Sequence, residues 1–582
     1  MNEAWIPVCP TADFEVGKAK VVKGEAEGRR YQIAVFQSEP GRFDAVDNLC
    51  PHEGYPLVQG YVKDCVLTCA WHNFKFRLQD GACIKGDEDV AVYATRITAG
   101  QVEVRLVMTE KAVDVPAALE SLGEGLLRGQ QGRVARDVVR LLQADVSPAT
   151  LLLFVAKFDA ERAEWGTNHA LAVAADMLGE VSRFDGVEAA LPIMQAMDNA
   201  SEANRRRPRR NLVEAVAVTG DADAVGSELR ALIEDEDHPG AEAWLLGALQ
   251  AGFGRDDLER WLLGLCCDHF IGFGHPLIYV TKAFDLLDAV GFEHAPDLLP
   301  ALLFRIVNST REDILPPMEF LEDHFAAQSP QFEAWSQNKG PLEDAAGLRE
   351  ALLDGNKHDA CERVTRALEQ AADPVLIVNE IVRAASERML RFDYVLGNSD
   401  EVQEGWLDLT HGLTYAHAVR ITFERYACAD RLRLLFYAAH FVQRTGPLDL
   451  PERSAAGPLE ATTLEALSLE DIAAAVGSRE TDRAVALVRC FLGQGGDVDA
   501  LRNRFVDYLL SDKLVRPIVV AHGLKTCLAA FAETAALDDD PLPVLAFTRF
   551  ASSPIRERSV SRSVHEAIRF LRDGRPPKRL TS

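Results

Sequence analysis

The chain has 582 residues, a net charge of −27 and 48% hydrophobic residues. That is too long for one hydrophobic core, so two or more domains are expected. The acidic balance argues against nucleic acid as the main partner. No run of 18 apolar residues announces a membrane span, and the opening MNEAWIPVCPTADFEVG lacks the basic and apolar regions of a signal peptide. Only the tail RERSVSRSVHEAIRFLRDGRPPKRL is basic, and it reads as a solvated helix and a loose end. Eleven thinly spread cysteines show no disulfide framework. They fit a reducing compartment, and a cytoplasmic location is expected.

Residues 1–108 read as a small all-β domain. Runs such as AKVVKG, YQIAVFQ, RFDAVDN, CVLTC, FKFRLQ, VAVYATRIT and QVEVRLV are rich in β-branched and aromatic residues and are separated by Gly, Asp and Pro. Within this segment Cys50, His52, Cys69 and His72 stand in the spacing C-x-H-x16-C-x2-H. Two thiolates for one iron and two imidazoles for the other are the ligand set of a Rieske [2Fe–2S] cluster, whose potential lies at about −150 to +300 mV. A Cys2His2 zinc site is the competing reading; the order of ligands inside a strand-rich segment favours the cluster. Cys65 and Cys83 lack partner spacing and read as core residues.

Residues 4–107 resemble Rieske proteins. CPH and CAWH stand where that family has its two ligand loops, and NFKFRLQDGACIKGDEDVAVY resembles the strand, turn and covering loop that follow. High-potential respiratory members link the loops by a disulfide, whereas this chain has Tyr55 and Trp71 there. The resemblance therefore implies the ferredoxin or oxygenase type, with a potential in the lower part of the range.

From about residue 109 the pattern changes to apolar residues at three and four spacing, as in RVARDVVRLLQ, AWLLGALQAGF and LRLLFYAAHFV. Residues 109–131 read as a linker and first helix. Residues 132–582 read as one large all-α domain, either a bundle or stacked helix pairs, with PLDLPERSAAGPLEATT as its clearest loop. Four histidines share a local signature of His, a small residue or Pro, then Leu: NHALAVAADML at His169, GHPLIYVTKAF at His275, THGLTYAHAVR at His411 and AHGLKTCLAAF at His522. Pro276 suits the first turn of a helix. One imidazole from each of four helices is a way to build a metal site, and a one-electron donor in the same chain favours iron. A lone His on an apolar helix is otherwise an ordinary core residue.

His269, His417 and His440 also lie in apolar surroundings. His411 and His417 are six residues apart and point about 120° apart on one helix, so His417 reads as a group bonded to a ligand or to substrate. Asp408, His411 and His417 come close to the Asp/His/His iron motif of ring-hydroxylating oxygenases, but the spacing is one residue too long and no mixed α/β domain follows. Lys525 lies on the face of His522 in an apolar run; it either snorkels to solvent or is modified, and Lys282 is its rival beside His275.

The four histidine segments resemble the questin-oxidase-like family of helical non-heme iron oxygenases, which cleave anthraquinone and related rings. That resemblance implies His169, His275, His411 and His522 as ligands of a mononuclear iron, with Lys525 carboxylated as a further ligand. The expected function is a Rieske-fused non-heme iron oxygenase. Its electrons come from a flavin- or NAD(P)H-dependent reductase or a ferredoxin. Its substrates are O2 and a small aromatic, quinone or polyketide-like molecule, and the cluster and iron meet within one chain or across a homo-oligomer. The alternative is a Rieske electron carrier whose helices are a docking scaffold. A hydrolytic or regulatory metal site would leave the cluster without a task.

Overall fold

Eleven strands carry the first part of the chain: β1 (Ala4–Pro10), β2 (Ala19–Ala26), β3 (Arg29–Glu39), β4 (Arg42–Asp47), β5 (Tyr61–Lys63), β6 (Val66–Thr68), β7 (Lys75–Arg77), β8 (Cys83–Lys85), β9 (Val92–Tyr93), β10 (Thr95–Thr98) and β11 (Gln101–Leu106). They form three antiparallel sheets, in the orders β1-β11-β10, β2-β3-β4-β9 and β5-β6-β7-β8. The structure, a computed structural model, describes residues 4–26, 29–86, 88–107, 113–211, 213–392, 394, 405–450, 467–511 and 516–554. The basic tail and most of the loop at 447–463 lie outside the described residues.

β3 is the central strand. Its period of two sends Ile33 and Val35 into a core with Phe14, Phe43, Val102 and Val104. Ala34 and Phe36 go to the opposite face, into a second core with Val46, Leu57, Leu67 and Phe76. That second core also holds Cys50 and Cys69, so the ligand loops are anchored in packed apolar side chains. The all-β expectation for this segment holds. β1 carries two prolines and gave no strand signal; its pairing with β11 is a long-range contact.

Two compact units divide the chain, Met1–Val146 and Ser147–Ser582. The division differs from the boundaries drawn on sequence. Two helices, α1 (Val115–Arg128) and α2 (Gln131–Gln143), pack on each other and belong to the first unit. Their apolar faces, Leu122 and Leu126 of α1 and Val134, Val138 and Leu141 of α2, are buried. Cys65 is not a core residue: it sits at positive φ in the turn between β5 and β6.

The second unit is all-α among the described residues, as the apolar spacing predicts. Four of its helices carry the site histidines: His169–Glu180, His275–Val290, Trp406–Arg425 and Pro517–Ala536. The first packs on the second, the second on the third, the third on the fourth and the fourth back on the first, closing a ring. Pro517–Ala536 is long and apolar enough to cross a membrane by length and composition, yet it is a mostly buried member of this ring.

The His275 helix is launched by a turn that sequence periodicity does not reveal. Gly272, Phe273 and Gly274 all have positive φ (52°, 58° and 76°). A Cβ on Gly274 would stand 2.2 Å from the Tyr415 ring, so neither the backbone nor the space there accepts a side chain. Gly274→Ala is expected to destabilise the helical unit by more than about 1 kcal/mol. Gly412→Ala, where a Cβ meets open space inside a helix, is expected to be neutral or stabilising by up to about 1 kcal/mol. Denaturant unfolding of the two variants against wild type checks both directions.

Candidate metal centres

His169, His275, His411 and His522 converge. His411 Nε2 lies 3.0 Å from His275 Nε2 and 3.2 Å from His522 Nε2. His169, His275 and His522 each bring a ring nitrogen within 4.8 Å of the others, and the His169 and His522 rings are 4.7 Å apart. Each imidazole is placed by its own local device. Asn168 caps the His169 helix, accepting from the Ala170 amide, while its side-chain amide donates to the buried Asp159. His275 is the first residue of its helix, followed by Pro276. His411 and His522 lie within long helices, on faces that are buried.

The hydrogen bonds fix the tautomers of two rings. His275 Nδ1 is 2.6 Å from the Gly272 carbonyl and His522 Nδ1 is 2.7 Å from the Ile518 carbonyl. Carbonyls only accept, so both Nδ1 atoms carry the proton and both Nε2 atoms present lone pairs. His411 Nε2 can donate to one of them at most. The His411 Nδ1 and His169 Nε2 atoms are buried without a hydrogen-bond partner. Burial holds His169, His275 and His411 far below the usual imidazole range, with the charges of Lys525 and neighbouring groups adding to it. It takes His522 down to about 3, again helped by Lys525. The rings are therefore neutral, the form that binds metal. Two nitrogens about 2.1 Å from one ion stand about 3.0 Å apart at right angles and about 3.4 Å apart at the tetrahedral angle. The spacings match that range, so the residues fit an ion.

The neighbours sort themselves by packing. Lys525 is buried, and its amine has no hydrogen-bond partner, so it does not snorkel. Burial, only partly offset by Asp176, lowers it to about 7. Lys282 instead pairs with the buried Asp176 at 2.6 Å. His417 is turned away from the four rings: its Nδ1 is 2.7 Å from Glu533, whose carboxylate also takes Arg420. His417 thus meets no candidate ligand in these contacts. With Lys282, Lys525, Ile278, Thr281 and Thr414 it lines a cavity of about 160 Å³. His269 is held between Asp313 and Glu234, and His440 is buried beside Phe320.

The N-terminal ligand set is built on two loops that close in the same way. In the first, Cys50 N donates to Tyr55 O and Gly54 N to Cys50 O. In the second, Cys69 N donates to Phe74 O and Asn73 N to Cys69 O. Gly54 and Asn73 supply the left-handed residue in each (φ 76° and 60°). The two loops face each other with His52 Nδ1 and His72 Nδ1 3.2 Å apart. Phe74 stacks on His52 at 4.4 Å. Cys50 and Cys69 are buried. Burial pushes the Cys50 thiol up to about 12, against a lowering bond from the His52 amide, so a thiolate there needs a cation beside it. Two buried sulfurs and two facing imidazole nitrogens fit a two-iron cluster.

A family model described as the Rieske [2Fe-2S] domain matches residues 4–96. The N-terminal unit carries a Rieske [2Fe–2S] domain. It is 36% identical over 81 residues to cholesterol 7-desaturase nvd of Hemicentrotus pulcherrimus, covering 14% of this chain and 16% of that protein. It is 31% identical over 87 residues to the 3-chlorobenzoate-3,4-dioxygenase oxygenase subunit of Comamonas testosteroni, covering 14% and 18%. It is 40% identical over 76 residues to the anthranilate 1,2-dioxygenase ferredoxin subunit of Burkholderia cepacia, covering 13% and 69%. The chain therefore spans less than a fifth of the first two relatives. In this Rieske domain a stack of Tyr55 on Trp71, 4.2 Å between ring centroids, joins the loops, and all eleven cysteines are free thiols.

Residues of the helical site that the sequence did not single out include Tyr279, whose hydroxyl is 3.4 Å from His169 Nδ1. Its place one turn after His275 was the available signal. Glu533 and Asp176 carried none. In the metal-free protein the four histidines titrate near 6.5 when unfolded but far lower when folded. The unfolded chain therefore binds more protons below about pH 6.5, and stability falls as pH falls, by up to about 1.4 kcal/mol per pH unit for each histidine. Denaturant midpoints measured from about pH 7 down to about pH 5 should drop, and His522→Gln should flatten the slope; an equal slope in the variant would contradict the assignment.

Proposed function

We propose that the chain is an oxygenase in which the Rieske domain serves a redox metal, iron, held by His169, His275, His411 and His522. The observation that carries the reading is the meeting of four neutral imidazoles from four helices, three of them buried and His169 half-buried. Imidazole suits iron, copper or zinc; a one-electron donor in the same chain selects a metal that changes oxidation state. When loaded, the cluster supplies electrons singly, and the iron supplies the site where O2 is reduced for oxidation of an aromatic, quinone or polyketide-like ring, with cleavage as one outcome.

The chain's own residues prepare that chemistry. Gly272 O and Ile518 O hold His275 and His522 with their lone pairs inward. Tyr279 steadies the His169 ring. Lys525, neutral for much of the time at pH 7, has the form of amine that adds CO2, and its charge is felt at all four imidazoles; its carboxylation would give a fifth ligand. The 160 Å³ cavity begins one turn along from three of the ligands, at Ile278, Thr414 and Lys525. His417, held by Glu533, lies on its wall. A flavin- or NAD(P)H-dependent reductase or a ferredoxin would reduce the cluster.

The second reading, an electron carrier with a helical scaffold, is favoured by the ferredoxin subunit of which the chain covers 69%. Metal analysis after loading with ferrous iron separates the two. The oxygenase reading expects about three irons per chain, two of them in the cluster. His275→Ala and His522→Ala should each lose about one iron and keep the Rieske electron paramagnetic resonance signal. About two irons in the wild type, or no loss in either variant, would favour the scaffold.

A further inference from the structure

The hairpin α1–α2 lies beyond the residues that the family model matches, yet α2 is built against the first ligand loop. Arg136 Nη1 donates to the carbonyls of Pro51 (2.8 Å) and His52 (3.0 Å). The same guanidinium is fixed from behind: Nε donates to the fully buried Asp137 at 2.8 Å, and Nη2 donates to Ser121 of α1 at 3.2 Å. Arg140 adds a bond to Glu88 at 2.5 Å and a longer one to Pro51 O at 3.4 Å. One nitrogen serves both carbonyls while Nε and Nη2 are held by Asp137 and Ser121; a rigid planar group anchored on one side and donating on the other is a geometry that arginine makes and lysine does not.

One turn earlier, α2 makes room for a carboxylate. A Cβ at Gly132 would come within 2.5 Å of Glu53 Oε1. Glu53 lies at the outer edge of both imidazoles, with Oε1 3.9 Å from His52 Nε2 and Oε2 3.8 Å from His72 Nε2. The Nδ1 atoms face each other on the inner side; with both Nδ1 lone pairs given to a cluster, the Nε2 atoms would bear the protons and point at this carboxylate. The distances exceed a direct hydrogen bond, and the interaction is one of charge with dipole.

We propose that α2 is a built-in regulator of the cluster's reduction potential. Arg136 raises the potential by drawing the negative ends of the Pro51 and His52 carbonyls away from the loop interior, and Glu53, admitted by Gly132, lowers it. Reduction adds one electron to the cluster, so a group that withdraws negative charge from the ligand loop favours the reduced state. A carboxylate beside the imidazoles disfavours it. Arg136, Glu53 and Gly132 are positioning residues; none is a ligand.

The test is a potentiometric titration of the full chain with its cluster loaded, followed by electron paramagnetic resonance. Arg136→Met should lower the reduced-to-oxidised ratio at a fixed potential by about threefold or more, with Arg136→Lys between it and wild type. Glu53→Gln should raise the ratio by about as much. Gly132→Ala should raise it too, because the new methyl displaces the Glu53 carboxylate, and should add nothing to Glu53→Gln in the double variant. Loss of thermal stability with potentials unchanged in Arg136→Met and Glu53→Gln would show a structural hairpin only and overturn the proposal. Should Arg136→Met fail to fold, Arg136→Lys and the Gly132/Glu53 cycle decide: additive shifts, or none, overturn it.

Discussion

The Nε2 atoms of His275 and His522 stand 3.0 and 3.2 Å from a shared neighbour, His411 Nε2, while their own outer N–H groups are already committed to carbonyls. Lone pairs facing at that distance repel unless a proton or a cation lies between them. Burial holds each ring neutral, so one proton at most, on His411 Nε2, can serve the two contacts. The arrangement is therefore stable to the extent that a cation occupies its centre. The ring of four helices, the left-handed turn at 272–274 and the Asn168 cap all serve to hold it.

The same logic appears in the Rieske domain with different materials. Buried Cys50 resists ionisation, and facing His52 and His72 nitrogens leave a gap of 3.2 Å. Here the loops are anchored in a β core rather than a helix ring. A stacked Tyr55–Trp71 pair joins the loops in place of a covalent link. Polar neighbours then differentiate the centres. Carboxylate and guanidinium flank the cluster loops, while the cavity beside the helical site mixes apolar side chains with Thr281, Thr414, His417, the paired Lys282 and the unpartnered amine of Lys525.

The chemistry-bearing residues were legible where spacing along the chain is itself the signal. C-x-H and C-x2-H give both Rieske loops because each pair sits on one tight turn. The four histidine segments were readable as helix faces, since each lies in an apolar run of helical period. Spacing could not choose between His411 and His417 by environment; packing does, turning one to the other imidazoles and the other to Glu533. Nor could it decide the fate of Lys525, because snorkelling depends on which neighbouring helix covers the amine. The clamp of Arg136 on Pro51 and His52 joins residues about eighty-five positions apart and leaves no local trace. β1 was hidden by its prolines and made by pairing with β11.

In the proposed function the four helices hold an iron ion. Anomalous diffraction from crystals of the iron-loaded full chain, collected on either side of the iron absorption edge, tests it most directly. The expected result is an iron peak about 2.1 Å from Nε2 of His275, His411 and His522 and from a ring nitrogen of His169, separate from the pair of irons between Cys50, Cys69, His52 and His72. Iron peaks at the Rieske loops alone, with the four imidazoles unliganded in the same map, would contradict it.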